Sequence, residues 1–77
     1  MNLDILTPDE KLYEGTADAI TVPGSNGVLQ ILNGHAALIS SLGKGDVKVS
    51  TPEGEKIFKI EGGVVEVVNN KVIVLAE

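Results

Sequence analysis

Apolar residues alternate with polar ones along most of the chain, and this spacing constrains the fold more than any other feature. Leu3 and Ile5, for example, alternate with Asn2 and Asp4. The apolar members of the later pairs are Ile20 and Val22, Val47 and Val49, Phe58 and Ile60, and Val72 and Val74. A period of two places alternate side chains on one face of a β-strand. The sequence therefore predicts that the chain is built from strands.

Turn-forming residues interrupt these segments at short intervals. The turns are predicted at residues 7–10, 23–27, 33–34, 43–45, 51–54, 62–63 and 69–70. Many short strands with frequent turns are typical of a sandwich or barrel. The one candidate helix, residues 35–42, lacks a 3.6-residue period. We expect residues 1–77 to form a single all-β domain, a small flattened antiparallel β-sandwich or barrel.

The composition limits the classes of molecule that the chain is expected to bind. The net charge is −5, and all six basic residues are lysines. Without arginine and with only 3% aromatic residues, the chain lacks the phosphate-binding forks and base-stacking rings of nucleic-acid-binding proteins. An acidic balance also disfavours anionic lipid. We therefore expect neither nucleic-acid binding nor direct lipid binding. The lack of cysteine and of a recognisable signal segment suits the cytoplasm.

The sequence gives little support for a catalytic function. His35 is the sole histidine, and no Gly-x-Ser-x-Gly motif accompanies it. One histidine among scattered carboxylates shows no metal-ligand spacing. Residues 24–27 lack the lysine and following helix of a phosphate-binding loop, so they predict a tight turn. We expect a non-catalytic chain without metal or cofactor. His35 itself has three interpretations: a surface residue, a residue that pins the turn at Asn33 and Gly34, or an interface residue.

The last two predicted strands are apolar at both alternating sets of positions. They comprise residues 64–68 and 72–75, in which Glu66 is the one charged residue. A small sandwich cannot bury both faces of such strands by itself. Either neighbouring loops or a partner protein must cover the second face, and composition leaves both alternatives open.

A lysine-modified carrier domain of the lipoyl or biotinyl type is an alternative from another functional class. Such domains are small, acidic and all-β, and Lys44 and Lys71 both lie beside predicted turns. The flanking residues typical of lipoylated or biotinylated lysines are absent at both positions. The two related halves of a carrier domain are also not visible.

The order and spacing of residues along the whole chain resemble the epsilon subunit of the rotary F-type ATP synthase. The segments that carry the resemblance are Leu3-Asp4-Ile5, Thr7-Pro8, Tyr13-Glu14-Gly15, Ile20-Thr21-Val22-Pro23-Gly24, Ile31-Leu32, Gly34-His35-Ala36, Leu38-Ile39, Gly62-Gly63, Val65-Glu66-Val67 and Val72-Ile73-Val74-Leu75-Ala76. No single segment is specific, but their joint order is.

The resemblance implies a flattened sandwich of about ten strands on the central stalk, peripheral to the cytoplasmic side of a bacterial plasma membrane. It implies that one side contacts the gamma subunit, that the rim contacts the membrane c-ring, and that the alpha/beta catalytic assembly is reached indirectly. The positions matched to the c-ring contact are Ser25, Asn26, Gly27, Val28 and Gln30. Those matched to the gamma contact are Thr7, His35 and Ser40.

The chain departs from the family pattern at three positions and at its end. Val28 replaces a frequent acid, Gln30 a glycine and Asn33 a proline. Without the acid, the ring contact is expected to depend on packing and backbone hydrogen bonds. The C-terminal helical hairpin of longer relatives does not follow Glu77. The resemblance therefore implies a coupling subunit that neither binds ATP nor inhibits hydrolysis.

Overall fold

The computed structural model describes residues Met1–Glu77 and contains nine β-strands and no helix. The strands are β1 (Asn2–Leu6), β2 (Lys11–Thr16), β3 (Ala19–Gly24), β4 (Gly27–Leu32), β5 (Leu38–Leu42), β6 (Gly45–Thr51), β7 (Gly54–Ile60), β8 (Gly63–Val68) and β9 (Lys71–Ala76). The all-β prediction is confirmed, with nine strands where the resemblance implied about ten. The candidate helix at residues 35–42 instead contains β5. No helix long and apolar enough to cross a membrane is present.

The strands form one curled sheet that folds back on itself. Their order is β2-β1-β9-β8-β5-β3-β6-β7, and β4 pairs with β3 beside this path. β5 and β3 meet at one residue pair only, Gly24 opposite Leu42. The sheet therefore divides there into a first layer, β2-β1-β9-β8-β5, and a second layer, β4-β3-β6-β7.

One strand pair differs from the antiparallel prediction. β1 and β9 run parallel, with Asn2 opposite Lys71 and Leu6 opposite Leu75, whereas the other paired strands are antiparallel. A short turn forces two strands to run antiparallel, but β1 and β9 lie at opposite ends of the chain. Their relative direction is set by packing and by no local turn, so the predicted antiparallel sandwich contains one parallel strand pair.

The core lies between the two layers and is aliphatic. Fifteen hydrophobic residues are buried, and they include both members of the predicted pairs except Phe58. Phe58 is half-buried and packs against Tyr13, with ring centroids 6.0 Å apart and planes inclined by 53°. Because Tyr13 belongs to β2 and Phe58 to β7, this contact joins the two ends of the strand order. The two-residue period in the sequence thus correctly separates the side chains of the core from those of the surface.

The hairpin of β8 and β9 requires two unusual backbone conformations. Asn69 and Asn70 connect the strands with φ angles of 50° and 61°, the left-handed conformation that asparagine tolerates. Gly63, with φ at 139°, has no room for a side chain, because a Cβ atom there would overlap the backbone of Leu75. The tight turn predicted at residues 69–70 is confirmed.

Candidate partner-binding surfaces

The outward face of the first layer is largely apolar. Val64 lies opposite Leu75, and Leu75 lies opposite Leu6 on the next strand. Ile39 is 70% exposed and Leu75 is 52% exposed. We call this surface the apolar face and define it by Leu6, Ile39, Val64, Val68, Ile73 and Leu75. An exposed and mainly apolar sheet face of this kind is typical of a protein–protein contact.

Acidic side chains interrupt the apolar face. Glu66 lies between Ile39 and Ile73 in the strand register, and Asp4 lies on the other side of Ile73. Both carboxylates share the outward face with the apolar residues, because directly paired strand residues point to the same side. A partner that covers this surface must supply water or polar groups at these two positions.

The outward face of β6 and β7 in the second layer is polar by contrast, whereas β4 in the same layer exposes Val28 and Leu32. Across β3, β6 and β7, the in-register residues are Thr21, Lys48 and Ile57. The neighbouring pair on β6 and β7 is Asp46 opposite Lys59. Ile57 is 53% exposed and is an isolated apolar residue on these two strands, which needs no partner. The outward face of β6 and β7 therefore differs in chemistry from the apolar face.

The structure resolves how the β8–β9 hairpin uses its two apolar faces. Val65, Val67, Val72 and Val74 point inward and are at most 1% exposed. The outward set, Val64, Val68 and Leu75, remains between 38% and 52% exposed. Loops of this chain consequently do not cover the second face. The other sequence-based alternative, cover by a partner protein, fits this geometry.

The residues matched to the c-ring contact all lie on the β3–β4 hairpin. Ser25 and Asn26 form its turn, and Gly27, Val28 and Gln30 belong to β4. All five are exposed, Val28 by 74%. The predicted turn is confirmed, and Gly24 is required beside it because a Cβ atom there would lie 2.5 Å from the Gly27 carbonyl oxygen.

The tip of this hairpin is fastened to β5. The Ser25 backbone N–H donates to the Ser41 carbonyl oxygen at 3.0 Å, and the Ser41 hydroxyl donates to Ser25 Oγ at 2.8 Å. The Gly43 N–H also donates to the Pro23 carbonyl oxygen at 2.8 Å. These bonds connect the second layer to the first at the point where the sheet divides. They hold the exposed tip in one position relative to the apolar face.

The residues matched to the gamma contact are not clustered. Thr7 follows β1, and its Oγ1 accepts from the Glu10 N–H at 3.0 Å within the β1–β2 turn. His35 is exposed in the loop before β5, at the opposite end of the first layer. Ser40 is half-buried on β5, opposite the inward-facing Val65. Thr7 and His35 lie at opposite ends of the apolar face, whereas Ser40 points to the inner side of β5, so the three residues do not form one site.

The structure supports two of the three interpretations of His35, one for its backbone and one for its ring. Its backbone N–H donates to the Leu32 carbonyl oxygen at 3.1 Å and so closes the turn at Asn33 and Gly34. The ring is exposed and its Nδ1 lies 2.7 Å from the Ala36 carbonyl oxygen. The backbone pins the turn, therefore, while the imidazole is a surface group.

Asn33 and Asn70 connect the β4–β5 loop to the β8–β9 turn. The Gly34 N–H donates to Asn70 Oδ1 at 2.9 Å, and the Asn70 amide donates to Asn33 Oδ1 at 3.4 Å. Sequence reasoning missed these bonds because 36 and 37 residues separate the partners. It also missed Ile39, whose outward position is visible only as the alternation of Leu38, Ser40 and Leu42 around it.

Comparison with known proteins places this chain in one family. Residues 1–77 match the family model described as "ATP synthase, Delta/Epsilon chain, beta-sandwich domain", and the chain belongs to that family. The relatives it resembles are epsilon chains. It is 42% identical over 76 residues to the ATP synthase epsilon chain of Chlorobaculum tepidum, with 97% of this chain and 86% of the relative covered.

Longer relatives share the same β domain. The chain is 38% identical to the ATP synthase epsilon chain of Leptospira borgpetersenii over 77 residues, which cover all of this chain but 61% of the relative. It also resembles a chain of the Euglena gracilis mitochondrial ATP synthase F1/c-ring structure, with a TM-score of 0.89, 25% identity, and 96% and 48% of the two chains covered.

Membership in this family removes the grounds for a carrier domain. Lys44 lies in the β5–β6 turn, 3.8 Å from a Glu61 carboxylate oxygen and highly exposed. Lys71 begins β9 beside the turn at Asn69 and Asn70. Neither lysine stands at the centre of a repeated half-domain. No group of three or more potential metal-ligating side chains is present either.

Proposed function

We propose that this chain is a non-catalytic rotor subunit of the F-type ATP synthase. It links the gamma subunit to the membrane c-ring, on the cytoplasmic side of a bacterial plasma membrane, and so couples ion translocation to ATP synthesis. The observation that carries the proposal is the pairing of an epsilon-chain fold with an apolar face that the chain leaves uncovered. The alpha/beta catalytic assembly is reached only through gamma.

The apolar face is the proposed gamma contact. Thr7 lies past the end of β1 that pairs with Leu75, and His35 lies before the end of β5 that pairs with Val67. The two residues therefore mark opposite ends of the same surface, with the apolar residues between them. Interfaces commonly have such an apolar centre and a polar rim. We infer that Thr7 and His35 belong to the rim and that Ile39 and Leu75 provide the central contact. Ser40 points to the inner side of β5 and lines the groove beside the β3–β4 hairpin.

The β3–β4 hairpin tip is the proposed c-ring contact. Its residues Ser25, Asn26, Gly27 and Val28 are exposed, and hydrogen bonds to β5 support them from behind. Val28 offers an aliphatic surface where related chains often carry an acid. Contact with the ring here depends on van der Waals packing and backbone hydrogen bonds, so it should be nearly independent of ionic strength.

The proposed mechanism is mechanical. Torque passes between ring and gamma only when the three bodies rotate together, and a β-sandwich with a closely packed interior deforms little under load. Because the hairpin tip is fastened to β5, force applied at Val28 reaches the layer that carries the apolar face through the Ser25–Ser41 bonds. No bond-making chemistry is required of this chain.

Replacement of Val28 by a charged residue tests the ring contact. Val28→Asp in the assembled enzyme should uncouple ion pumping from ATP hydrolysis, because the buried contact would contain an unpaired carboxylate. The isolated chain should keep its thermal stability, since Val28 is 74% exposed. Proton or sodium uptake by inverted vesicles, measured beside ATP hydrolysis, reports the coupling.

Ile57→Asp is the matched control, because Ile57 is an exposed aliphatic residue on the same outward face of the second layer but on β7, at the other edge of that layer from β4. It should leave coupling unchanged. Normal coupling in the Val28→Asp enzyme would remove the hairpin tip from the ring contact. Failure of the unmodified chain to bind purified gamma would reject the rotor assignment as a whole.

A further inference from the structure

Three strands of this fold pair on one side only: β2, β7 and β4. β2 carries an ion pair between Lys11 and Glu14 at 3.3 Å, and β7 contains one glutamate and two lysines. Charged side chains on an edge strand oppose pairing with another chain, and natural sheets commonly protect their edges in this way. β4 has the sequence Gly-Val-Leu-Gln-Ile-Leu, without a charge or a proline. Residues 38–40 of β5, which meets β3 only at Leu42, form a second uncharged edge, and β4 is the longer of these two unprotected edges.

The register shows which backbone groups of β4 face this edge. Pro23 lies opposite Val28 and has no N–H to donate, and its carbonyl oxygen accepts from Gly43 on the far side of β3. Pro23 and Val28 are therefore a pair without mutual hydrogen bonds. Antiparallel strands alternate between bonded and non-bonded pairs. The backbone groups of Gln30, two residues along β4, consequently point away from β3 as well.

Leu32, two residues further along β4, follows the same alternation of backbone groups. The Leu32 carbonyl oxygen accepts from the His35 N–H at 3.1 Å, outside the pairing with β3. The N–H groups of Val28, Gln30 and Leu32 and the carbonyl groups of Val28 and Gln30 then face the free edge. None of them has a hydrogen-bonding partner in the chain. Their spacing is that of an edge strand to which a further strand can hydrogen-bond.

A groove beside this edge supplies side-chain contacts. It lies between the β3–β4 hairpin and β5, has a volume of about 240 Å³, and is lined by Val28, Leu29, Leu38 and Ser40 with residues of the turn. Leu29 and Leu38 are half-buried and pack against the core. No charged side chain lines the groove. An occupant is therefore held by backbone hydrogen bonds and by uncharged, apolar side chains.

We propose that β4 is a β-augmentation site for an extended segment of a neighbouring central-stalk subunit. The segment adds as a strand along six residues, a length of about 20 Å, and places apolar side chains at alternate positions toward Leu29 and Leu38. The inference rests on the proposed rotor function, which supplies the class of partner. Main-chain hydrogen bonds give such a contact its strength and alternate side chains its specificity. Because main-chain hydrogen bonds hold the segment, the contact does not require a charged side chain at position 28.

Amide hydrogen exchange measures this pairing directly. In the isolated chain, the β4 amides of Val28, Gln30 and Leu32 should exchange rapidly, since they are unpaired and exposed. In the assembled ATP synthase, those amides should exchange at least tenfold more slowly. The amides of Ile57 and Lys59, at the equivalent edge-facing positions of the charged edge strand β7, serve as the internal reference and should be unaffected.

Gln30→Pro tests the same pairing by mutation. It removes an N–H that has no partner within the chain, and proline is tolerated on edge strands. The variant should keep its fold, as judged by exchange protection of the buried strands, but dissociate at least tenfold faster from the assembled stalk. Ile57→Pro, at the equivalent edge-facing position of edge strand β7, is the matched control and should dissociate like the unmodified chain.

Each outcome separates this inference from the rotor proposal. Normal assembly with unprotected β4 amides, or an unaffected Gln30→Pro variant, would overturn augmentation and leave the rotor role intact. Failure of the unmodified chain to assemble at all would reject both. Concentration-dependent β4 protection in the isolated chain, together with a dimer in size-exclusion chromatography, would show that a second copy occupies the edge and would overturn the assignment to a stalk segment.

Discussion

Truncating Ile39 and Leu75 to alanine tests whether the apolar face is a binding surface. Each substitution removes about three methylene equivalents, and each equivalent contributes about 0.8 kcal/mol when it is buried. The side chains are 70% and 52% exposed in the free chain. Scaled by these fractions, a partner that buries them fully gains about 1.7 kcal/mol at Ile39 and about 1.2 kcal/mol at Leu75.

The double variant should therefore bind gamma with a Kd roughly 100-fold higher than the unmodified chain, since about 1.4 kcal/mol corresponds to a factor of ten. Isothermal titration calorimetry against purified gamma gives this constant. The binding heat capacity should also become less negative, because less apolar surface is removed from water. The free energy of unfolding of the isolated variant should change little, since neither side chain belongs to the buried core.

Ile57→Ala is the matched control for this experiment. Ile57 is 53% exposed, which equals Leu75 within a percentage point, and it also lies on a strand, so alanine has a comparable effect on strand propensity. It faces outward from the second layer and should leave the affinity for gamma unchanged. Equal loss of affinity from Ile57→Ala, or an unchanged Kd in the double variant, would refute the assignment of the apolar face.

Two further predictions concern the fold itself, and urea unfolding measures both. Ile20→Ala should lower the free energy of unfolding by about 2–4 kcal/mol, because Ile20 is fully buried between the layers; a loss below 1 kcal/mol would mean that the core collapses around the cavity. Gly63→Ala should destabilise far more than Gly54→Ala. Both positions have positive φ, but a Cβ atom at Gly63 overlaps the backbone of Leu75, whereas one at Gly54 meets nothing within 4 Å. Equal losses would contradict this.

Local patterns account for the parts of the fold that the sequence predicted correctly. The alternation of Val47 and Val49 with Asp46 and Lys48 identifies a strand and its inner face, because side chains alternate across a strand regardless of its neighbours. Asn69 and Asn70 predict a turn because both tolerate a left-handed backbone. Residues 35–42 were harder to predict, since the exposed loop before β5 interrupts the period.

The candidate surfaces were only partly predictable. The hairpin tip from Ser25 to Val28 follows from turn chemistry and from the family resemblance together. The apolar face does not, since Ile39 and Leu75 are 36 residues apart and join only when β5, β8 and β9 pair. Thr7 also looked like an interface position, but its hydroxyl is engaged in the β1–β2 turn.

The sequence by itself determined most of the strand segments, with β5 an exception, as well as which of their side chains point inward, where the chain turns, and the family to which it belongs. These properties depend on interactions between residues close together in the chain. The tertiary structure alone decided that β1 and β9 run parallel, that the sheet divides at Gly24 and Leu42, and that β4 is left with a free edge. Strand neighbours are chosen by packing between distant segments, and no local period encodes that choice.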